Sequence, residues 1–308
     1  MPPALVLTAG LGTRLRPLTL VRAKPAVPIA GEPLIRRIIR WLRGAGISDL
    51  VLNLHHLPET IASVVGDGSD LDVGVRYSWE QPVVLGSAGG PRRALPLLGS
   101  GTFLIVNGDT LTDVDLPRLI AAHEASDALV TFALVPNDQP QKYGGVVLDA
   151  GSRVTGFARS GASGRRSDEA GSYHFIGVQV AEPAAFEGLP DHTPMNSIGD
   201  VYDRLIAQQP GSIRGFVTRA AFWDVGTIAD YWNTSAALGG SAPARGQNTR
   251  VAPTASTGSS ILWDDVEVGA HAVLDECIVT DGVVVPDGAR HRRAVLRAGA
   301  PLIVEPFD

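Results

Sequence analysis

The sequence has little of three things: cysteine, lysine and long apolar runs. A single cysteine, Cys277, among 308 residues excludes an intrachain disulfide and fits a reducing compartment. No stretch approaches the roughly 18 consecutive apolar residues of a membrane-spanning helix. The chain enters Ala4-Leu-Val-Leu-Thr8 without the basic segment, apolar core and cleavage site of a secretory signal. Together these absences predict a cytoplasmic protein with no membrane partner. An excess of positive charge is missing too. With 26 Lys and Arg against 32 Asp and Glu, the net charge is −6, which argues against a nucleic-acid partner held through its phosphates. A local basic loop can still bind a small anion. Only Lys24 and Lys142 are lysines. Where arginine is the habit, a retained lysine marks a position that needs a compact ammonium rather than a planar fork, with codon bias as the alternative.

What is present is ample apolar material, 44% of the chain, in a length that suits one large α/β domain or a large and a small one. Short apolar runs alternate with amphipathic segments. Strands are expected at Leu5–Leu7, Leu50–Leu54, Val73–Trp79, Phe103–Val106 and Ala128–Val135. Helices are expected at Leu34–Gly44, Pro58–Val65, Ser87–Leu98 and Leu116–Ala125. Leu34, Ile35, Ile38, Ile39 and Leu42 share one helical face. This alternation predicts a Rossmann-like, mostly parallel sheet covered on both sides. Strand-like runs without long helices follow at Tyr143–Leu148, Val154–Ala158 and Tyr173–Val180. Asp200–Gln208 and Thr227 to about Leu238 read as helices, with Phe222–Val225 as a strand between them.

Residues 239–260, rich in Gly, Ser, Ala, Thr and Pro, read as a linker between a domain at 1–238 and an appendage at 261–308. Beyond it Val268, Leu274, Val279 and Val285 each precede turn formers at steps of about six, with the step from Leu274 to Val279 one short. That spacing is hexapeptide-like and predicts a short left-handed β-helix that must dock elsewhere, on the main domain or on another subunit, which leaves a homo-oligomer open. Cys277 is expected to pack there as a small apolar residue.

The chemistry concentrates in Ala9-Gly10-Leu11-Gly12-Thr13-Arg14-Leu-Arg-Pro17-Leu-Thr19, followed by Lys24-Pro25. The loop follows a buried strand, and open α/β sheets bind ligands at strand C-terminal ends. Gly10 and Gly12 let backbone N–H groups surround phosphate oxygens. Arg14 adds a fork suited to phosphate, and Lys24 adds a mobile point charge. No Gly-Lys-Ser/Thr follows, so this is not a Walker loop. Pro17 stands where a dinucleotide fold would continue into a helix, which disfavours an oxidoreductase. Asn107-Gly108-Asp109 ends another buried strand and aims a carboxylate at the same crevice.

These motifs resemble the signature of the sugar-nucleotide pyrophosphorylases, a family of nucleoside triphosphate transferases with a GT-A-like fold. The resemblance covers roughly residues 1–240, and the tail resembles the β-helix that many members carry. It implies that a nucleoside triphosphate and a sugar-1-phosphate are joined with Mg²⁺ as cofactor and pyrophosphate as leaving group. It implies Asp109 and, from Phe222-Trp-Asp224-Val-Gly-Thr227, Asp224 as metal ligands, with Arg14 and Lys24 in the catalytic role. It implies nucleotide contacts from residues 9–14, Lys24, Glu80, Gly86, Ser87 and Asp109. It implies sugar contacts from Lys142, Tyr143, Gly144, Gly145, His174 and Gly177. Lys142-Tyr143-Gly144-Gly145 and Leu85-Gly-Ser-Ala-Gly-Gly90 are most similar to mannose-1-phosphate guanylyltransferases using GTP. Uridylyltransferases acting on N-acetylmuramate-1-phosphate are the alternative. A non-catalytic regulatory paralogue is the other, though it would be expected to lose at least one of Arg14, Lys24, Asp109 and Asp224. The chain departs from the pattern at 159–172, where Arg159-Ser-Gly replaces a Glu-Lys-Pro. It departs again at His174-Phe-Ile-Gly177, where a sugar-binding Asn is absent and His174 is the candidate stand-in.

Overall fold

The computed structural model describes residues 1–158, 172–239 and 245–307. The departing loop read at 159–172 therefore lies, up to residue 171, outside the described residues. The chain divides into two compact units, one formed by Met1–Gly10, Ile38–His56 and Val65–Phe222, the other by Leu11–Arg37, Leu57–Val64 and Trp223–Asp308.

The first unit is built on a nine-stranded sheet. Its centre is the parallel set Phe103–Asn107, Ala4–Leu7, Asp49–Leu54 and Gly74–Trp79. Ala4, Leu5, Val6, Leu50, Val51 and Leu52 are fully buried, as strands covered on both faces require. Tyr173–Ala181 runs antiparallel to Phe103–Asn107 and to Val130–Pro136. Gly145–Leu148 and Val154–Ala158 extend that side as an antiparallel pair. One strand is not evident from the residue pattern: Ile213–Val217, parallel to Val130–Pro136. Phe103, Phe132, Phe186 and Tyr202 anchor the core, with Phe132 and Tyr202 ring centroids 5.3 Å apart. The parallel strands all run out at one edge, so Thr8, His55, Glu80 and Gly108-Asp109 gather there. This is where an open α/β sheet presents its chemistry.

The second unit holds the signature loop, the helix Ile228–Gly239 and the C-terminal β-helix. The loop is not featureless. It winds through three short 3₁₀ turns, Thr13–Leu15, Leu18–Leu20 and Lys24–Ala26, and then a hairpin of Pro28–Ile29 with Glu32–Pro33. The β-helix has three parallel faces. Arg250–Val251, Glu267–Val268 and Val284–Val285 form one. Ile261–Leu262, Ile278–Val279 and Ala294–Arg297 form the second. Val273–Asp275 and Arg290–Arg292 form the third.

This corrects the linker over residues 245–260, while residues 240–244 of it lie outside the described residues. Arg250 and Val251 already pair with the next coil, and Arg245 and Ser256 make bridges to Leu262 and Val273. The small and polar residues that look like linker are the corners and narrow interior of the first coil. The short step also finds its place. Side-chain bonds from coil to coil span 17 residues, so each coil has two six-residue sides and one of five. Cys277 is fully buried in the apolar interior with Leu262, Leu274 and Val279. The final strand, Ile303–Pro306, folds back antiparallel on Ala294–Arg297. No helix among the described residues is long and apolar enough to cross a membrane.

Candidate active site

At the strand ends of the first unit a buried polar chain joins three strands. The Asn53 Oδ1 accepts from the Thr8 backbone N–H at 2.6 Å, and the Thr8 hydroxyl donates to the Asn53 carbonyl. The Asn53 amide donates to Glu80 Oε1 at 2.7 Å, and the Leu85 N–H donates to Glu80 Oε2 at 2.6 Å. Glu80 is fully buried. Burial pushes its carboxyl above the ordinary carboxylate range, and the Leu85 and Asn53 donors oppose that shift. Both oxygens are thus engaged inside the protein, whereas a direct nucleotide contact was expected of Glu80. Its visible work is to hold the start of the helix Gly86–Leu98 against the sheet.

The glycines of that helix start have structural reasons of their own. Gly86 has φ 76°, and a Cβ there would lie 2.6 Å from the Met195 carbonyl oxygen. A Cβ on Gly90 would lie 2.7 Å from Glu80 Oε1. The Ser87 hydroxyl is 2.9 Å from that of Ser197 and accepts from the Ser197 N–H. The stretch expected to face the base is therefore pinned by Met195 to Ser197. Sequence reasoning missed that segment and Asn53, although a polar residue inside Leu52-Asn53-Leu54 was a usable signal.

Of the residues expected at the sugar, Lys142, Tyr143, Gly144 and His174 lie together. Tyr143 and His174 rings lie 4.2 Å apart, and Phe222 packs 4.8 Å from His174 and 5.5 Å from Tyr143. The Lys142 ammonium stands 4.9 Å from the Tyr143 ring, within cation–π range. Burial lowers the His174 pKa to about 4, helped by the Lys142 charge and opposed by a backbone hydrogen bond involving Gly144. His174 is consequently neutral at pH 7, with one ring nitrogen to donate and one to accept. A Cβ on Gly145 would lie 2.8 Å from Ser172 Cβ. Gly177, at φ 78°, faces Asn107 and Thr110 across a shift of register in its strand. Phe222 was not expected in this group.

Asp109 is half-buried directly beyond Phe103–Asn107. Gly108 before it must be glycine, since a Cβ would meet the Leu7 carbonyl oxygen at 2.5 Å.

In the second unit Gly12 (φ 60°) is the pivot of the signature loop. Its carbonyl accepts from the Thr19 hydroxyl at 2.9 Å and the Leu15 N–H at 3.0 Å. A Cβ on Gly12 would reach 2.7 Å from Thr19 Cγ2 and 3.3 Å from Lys24 Cβ. The loop therefore folds Lys24, 7% exposed, directly against Gly12, while Leu11, Thr13 and Arg14 are exposed. Asp224 is half-buried at the entry to the helix Ile228–Gly239. A Cβ on Gly226 would sit 3.1 and 3.2 Å from the Asp224 carboxylate oxygens and 3.2 Å from Asp230 Oδ2. A side chain there would crowd both carboxylates. Asp230 also caps the helix, accepting from the Thr227 N–H and hydroxyl. Among the described residues no group of three or more His, Cys, Asp or Glu could hold a metal by itself. A Mg²⁺ site made of one or two carboxylates plus phosphates and water has no need of such a group.

Comparison with known proteins places these features in a family. Residues 3–240 match the family model described as nucleotidyl transferase, and residues 244–291 match the GlmU-like C-terminal hexapeptide model. The chain is 31% identical to a mannose-1-phosphate guanylyltransferase of Mycobacterium tuberculosis, over 92% of this chain and 81% of that protein. It is 36% identical to an N-acetylmuramate alpha-1-phosphate uridylyltransferase of Neisseria meningitidis, over 60% of this chain and 78% of that protein. Among solved structures, HddC from Yersinia pseudotuberculosis, crystallised with GMP-PN, superposes with a TM-score of 0.64 at 24% identity, covering 76% of this chain and 98% of that one.

Proposed function

Because the chain belongs to the nucleotidyl transferase family, we propose that it joins GTP to mannose-1-phosphate, releasing GDP-mannose and pyrophosphate. The coarser statement, a sugar-1-phosphate nucleotidyltransferase with a hexapeptide β-helix, follows from the family itself. The observation that carries the choice of substrates is the likeness to the M. tuberculosis guanylyltransferase along nearly the whole chain. Lys142-Tyr143-Gly144-Gly145 adds to it.

In this reading a phosphate oxygen of the sugar-1-phosphate attacks the α-phosphorus in line. The bond to the β-phosphate oxygen breaks and pyrophosphate leaves with its electron pair. The nucleophile is already anionic, so no general base is required, and catalysis is positioning plus charge neutralisation. The backbone of Ala9, Gly10, Leu11, Gly12 and Thr13 receives the β- and γ-phosphates, and the exposed Arg14 closes on them as a fork. Lys24, fixed against Gly12, neutralises the α-phosphate and the incoming oxygen. Asp109 and Asp224 offer hard oxygen donors suited to Mg²⁺. When bound, Mg²⁺ supplies charge neutralisation across the phosphates.

Gly86 and Ser87 approach the base through the backbone. Glu80 serves it indirectly, by holding Leu85. Lys142, Tyr143, Gly144, Gly145, His174 and Gly177 form the sugar side. The neutral His174 imidazole offers a hydroxyl both a donor and an acceptor.

A second reading, a uridylyltransferase acting on N-acetylmuramate-1-phosphate, draws support from the higher local identity to the N. meningitidis protein. A pyrophosphate-release screen of GTP, UTP, ATP and dTTP against mannose-, glucose-, N-acetylglucosamine- and N-acetylmuramate-1-phosphate separates the two. The proposal expects GTP with mannose-1-phosphate to give the highest kcat/KM. A preference for UTP with an N-acetylated sugar overturns it.

A further inference from the structure

Arg22 lies two residues before Lys24, between the turns Leu18–Leu20 and Lys24–Ala26. Its guanidinium is directed not at the phosphate loop but into the β-helix of the same unit. The Nε donates to Asp281 Oδ2 at 2.6 Å and the Nη2 to Asp281 Oδ1 at 2.7 Å. The same Nη2 lies 2.5 Å from Asp264 Oδ2. Its guanidinium carbon stands 5.5 Å from the Trp263 ring centroid.

Asp264 and Asp281 occupy the same corner on successive coils, and the Asp264 N–H donates to Asp281 Oδ1. Two stacked, partly buried carboxylates call for a cation, and a bidentate fork is the side chain that satisfies both at once. The far side of the Lys24 turn is held by the β-helix as well. Trp263, fully buried, donates its indole N–H to the Tyr231 hydroxyl at 2.9 Å, which donates to the Pro28 carbonyl at 2.8 Å. The segment from Arg22 to Pro28, with Lys24 inside it, is thus tied at both ends to one corner of the β-helix.

We propose that Arg22 is a positioning residue through which the β-helix fixes the Lys24 turn, so that the C-terminal coils are a working part of the transferase. The proposal rests on the reading of Lys24 as the α-phosphate contact. Arg22 itself touches no substrate. It removes the freedom of a loop whose lysine must sit within hydrogen-bond reach of a crowded phosphate, and misplacements of about 1 Å at such points cost up to about a hundredfold in rate.

The test uses the full-length protein and four variants: Arg22→Met, Arg22→Lys, the pair Asp264→Asn with Asp281→Asn, and the triple variant of that pair with Arg22→Met. The asparagines keep the size and, through Oδ1, the acceptor that bonds between coils, and they remove both the charge and the second oxygen that accepts from Arg22. Both Arg22→Met and the asparagine pair are expected to lower kcat by about tenfold or more, with little change in KM for the sugar phosphate. The triple variant is expected to be no worse than either, because the losses share one cause. Arg22→Lys should recover part of the loss.

Amide hydrogen exchange at residues 12–27 should rise in the asparagine pair while the strand Phe103–Asn107 stays protected. That protection reports that the first unit is folded, and retained protection of Ile278–Val279 and Ala294–Arg297 reports the same of the β-helix. Wild-type kcat and exchange in the asparagine pair would overturn the proposal. So would multiplied losses in the triple variant, which would mean that Arg22 meets substrate directly. If the wild type released no pyrophosphate from any substrate pair, the proposed reaction would fail instead, and the exchange measurement would still decide whether the β-helix holds the loop.

Discussion

Gly177 and Asn107 are in contact so close that no side chain fits between them: a Cβ on Gly177 would lie 2.9 Å from both Asn107 Cβ and Nδ2. Asn107 begins Asn-Gly-Asp109, so Gly177 sets the height at which the proposed metal ligand leaves the sheet. The backbone at Gly177 is left-handed, φ 78°, which costs a residue with a Cβ about 1–2 kcal/mol before any clash is counted. Gly177→Ala is therefore expected to lower the unfolding free energy by at least that amount and to reduce kcat. Denaturant unfolding with parallel kinetics checks it, and wild-type values in both would mean Asn107 is not held this way.

Glu80 accepts from two N–H donors, one on each carboxylate oxygen. An amide of the same shape must turn its NH₂ toward one of them, so Glu80→Gln loses an acceptor in a fully buried place. The expected cost is about 1–3 kcal/mol, with a rise in KM for the nucleotide as Leu85 and Gly86 shift. Thermal unfolding and a nucleotide titration read the two effects. An unchanged unfolding temperature and nucleotide KM would mean that Glu80 does not hold Leu85 in place.

His174 makes stability depend on pH with a definite sign. Burial holds its pKa near 4 in the folded chain, against an ordinary 6.5. Between those values the unfolded chain takes up a proton that the folded chain refuses, so this contribution is fully present above about pH 6.5 and is lost as pH falls toward 4, by up to about 3 kcal/mol. Urea unfolding across that window should show the wild type losing more stability than His174→Gln. Parallel curves would place His174 in water.

Lys24 is packed against Gly12, and a planar guanidinium cannot replace a compact ammonium at that spot. Lys24→Arg should lower kcat/KM by at least about tenfold with the fold intact, as circular dichroism would confirm. An unchanged kcat/KM would return the scarcity of lysine to codon usage.

Much of this molecule is legible in its residues. The helices Leu34–Gly44 and Pro58–Val65 begin and end where their apolar periodicity and turn formers indicate. The buried strands follow from continuous aliphatic runs. The reaction family is written in the loop around Gly12. Apart from Asn53, what escaped reading lacked a local signal. Three-residue 3₁₀ turns are too short to show a period. Ile213–Val217 is interrupted by Arg214 and Gly215, and the first β-helix coil is made of residues that also make linkers. Arg22 stood out least, being one arginine among many, with partners 242 and 259 positions away.

Asp109 is the residue on which the proposed metal-dependent reaction rests. The decisive measurement is pyrophosphate release by wild-type protein and Asp109→Ala, with GTP and mannose-1-phosphate, across a Mg²⁺ titration and in EDTA. Metal-dependent turnover in the wild type is predicted, with a fall of about a hundredfold or more in Asp109→Ala and an unchanged unfolding profile. Near-normal, metal-dependent turnover in Asp109→Ala would contradict it.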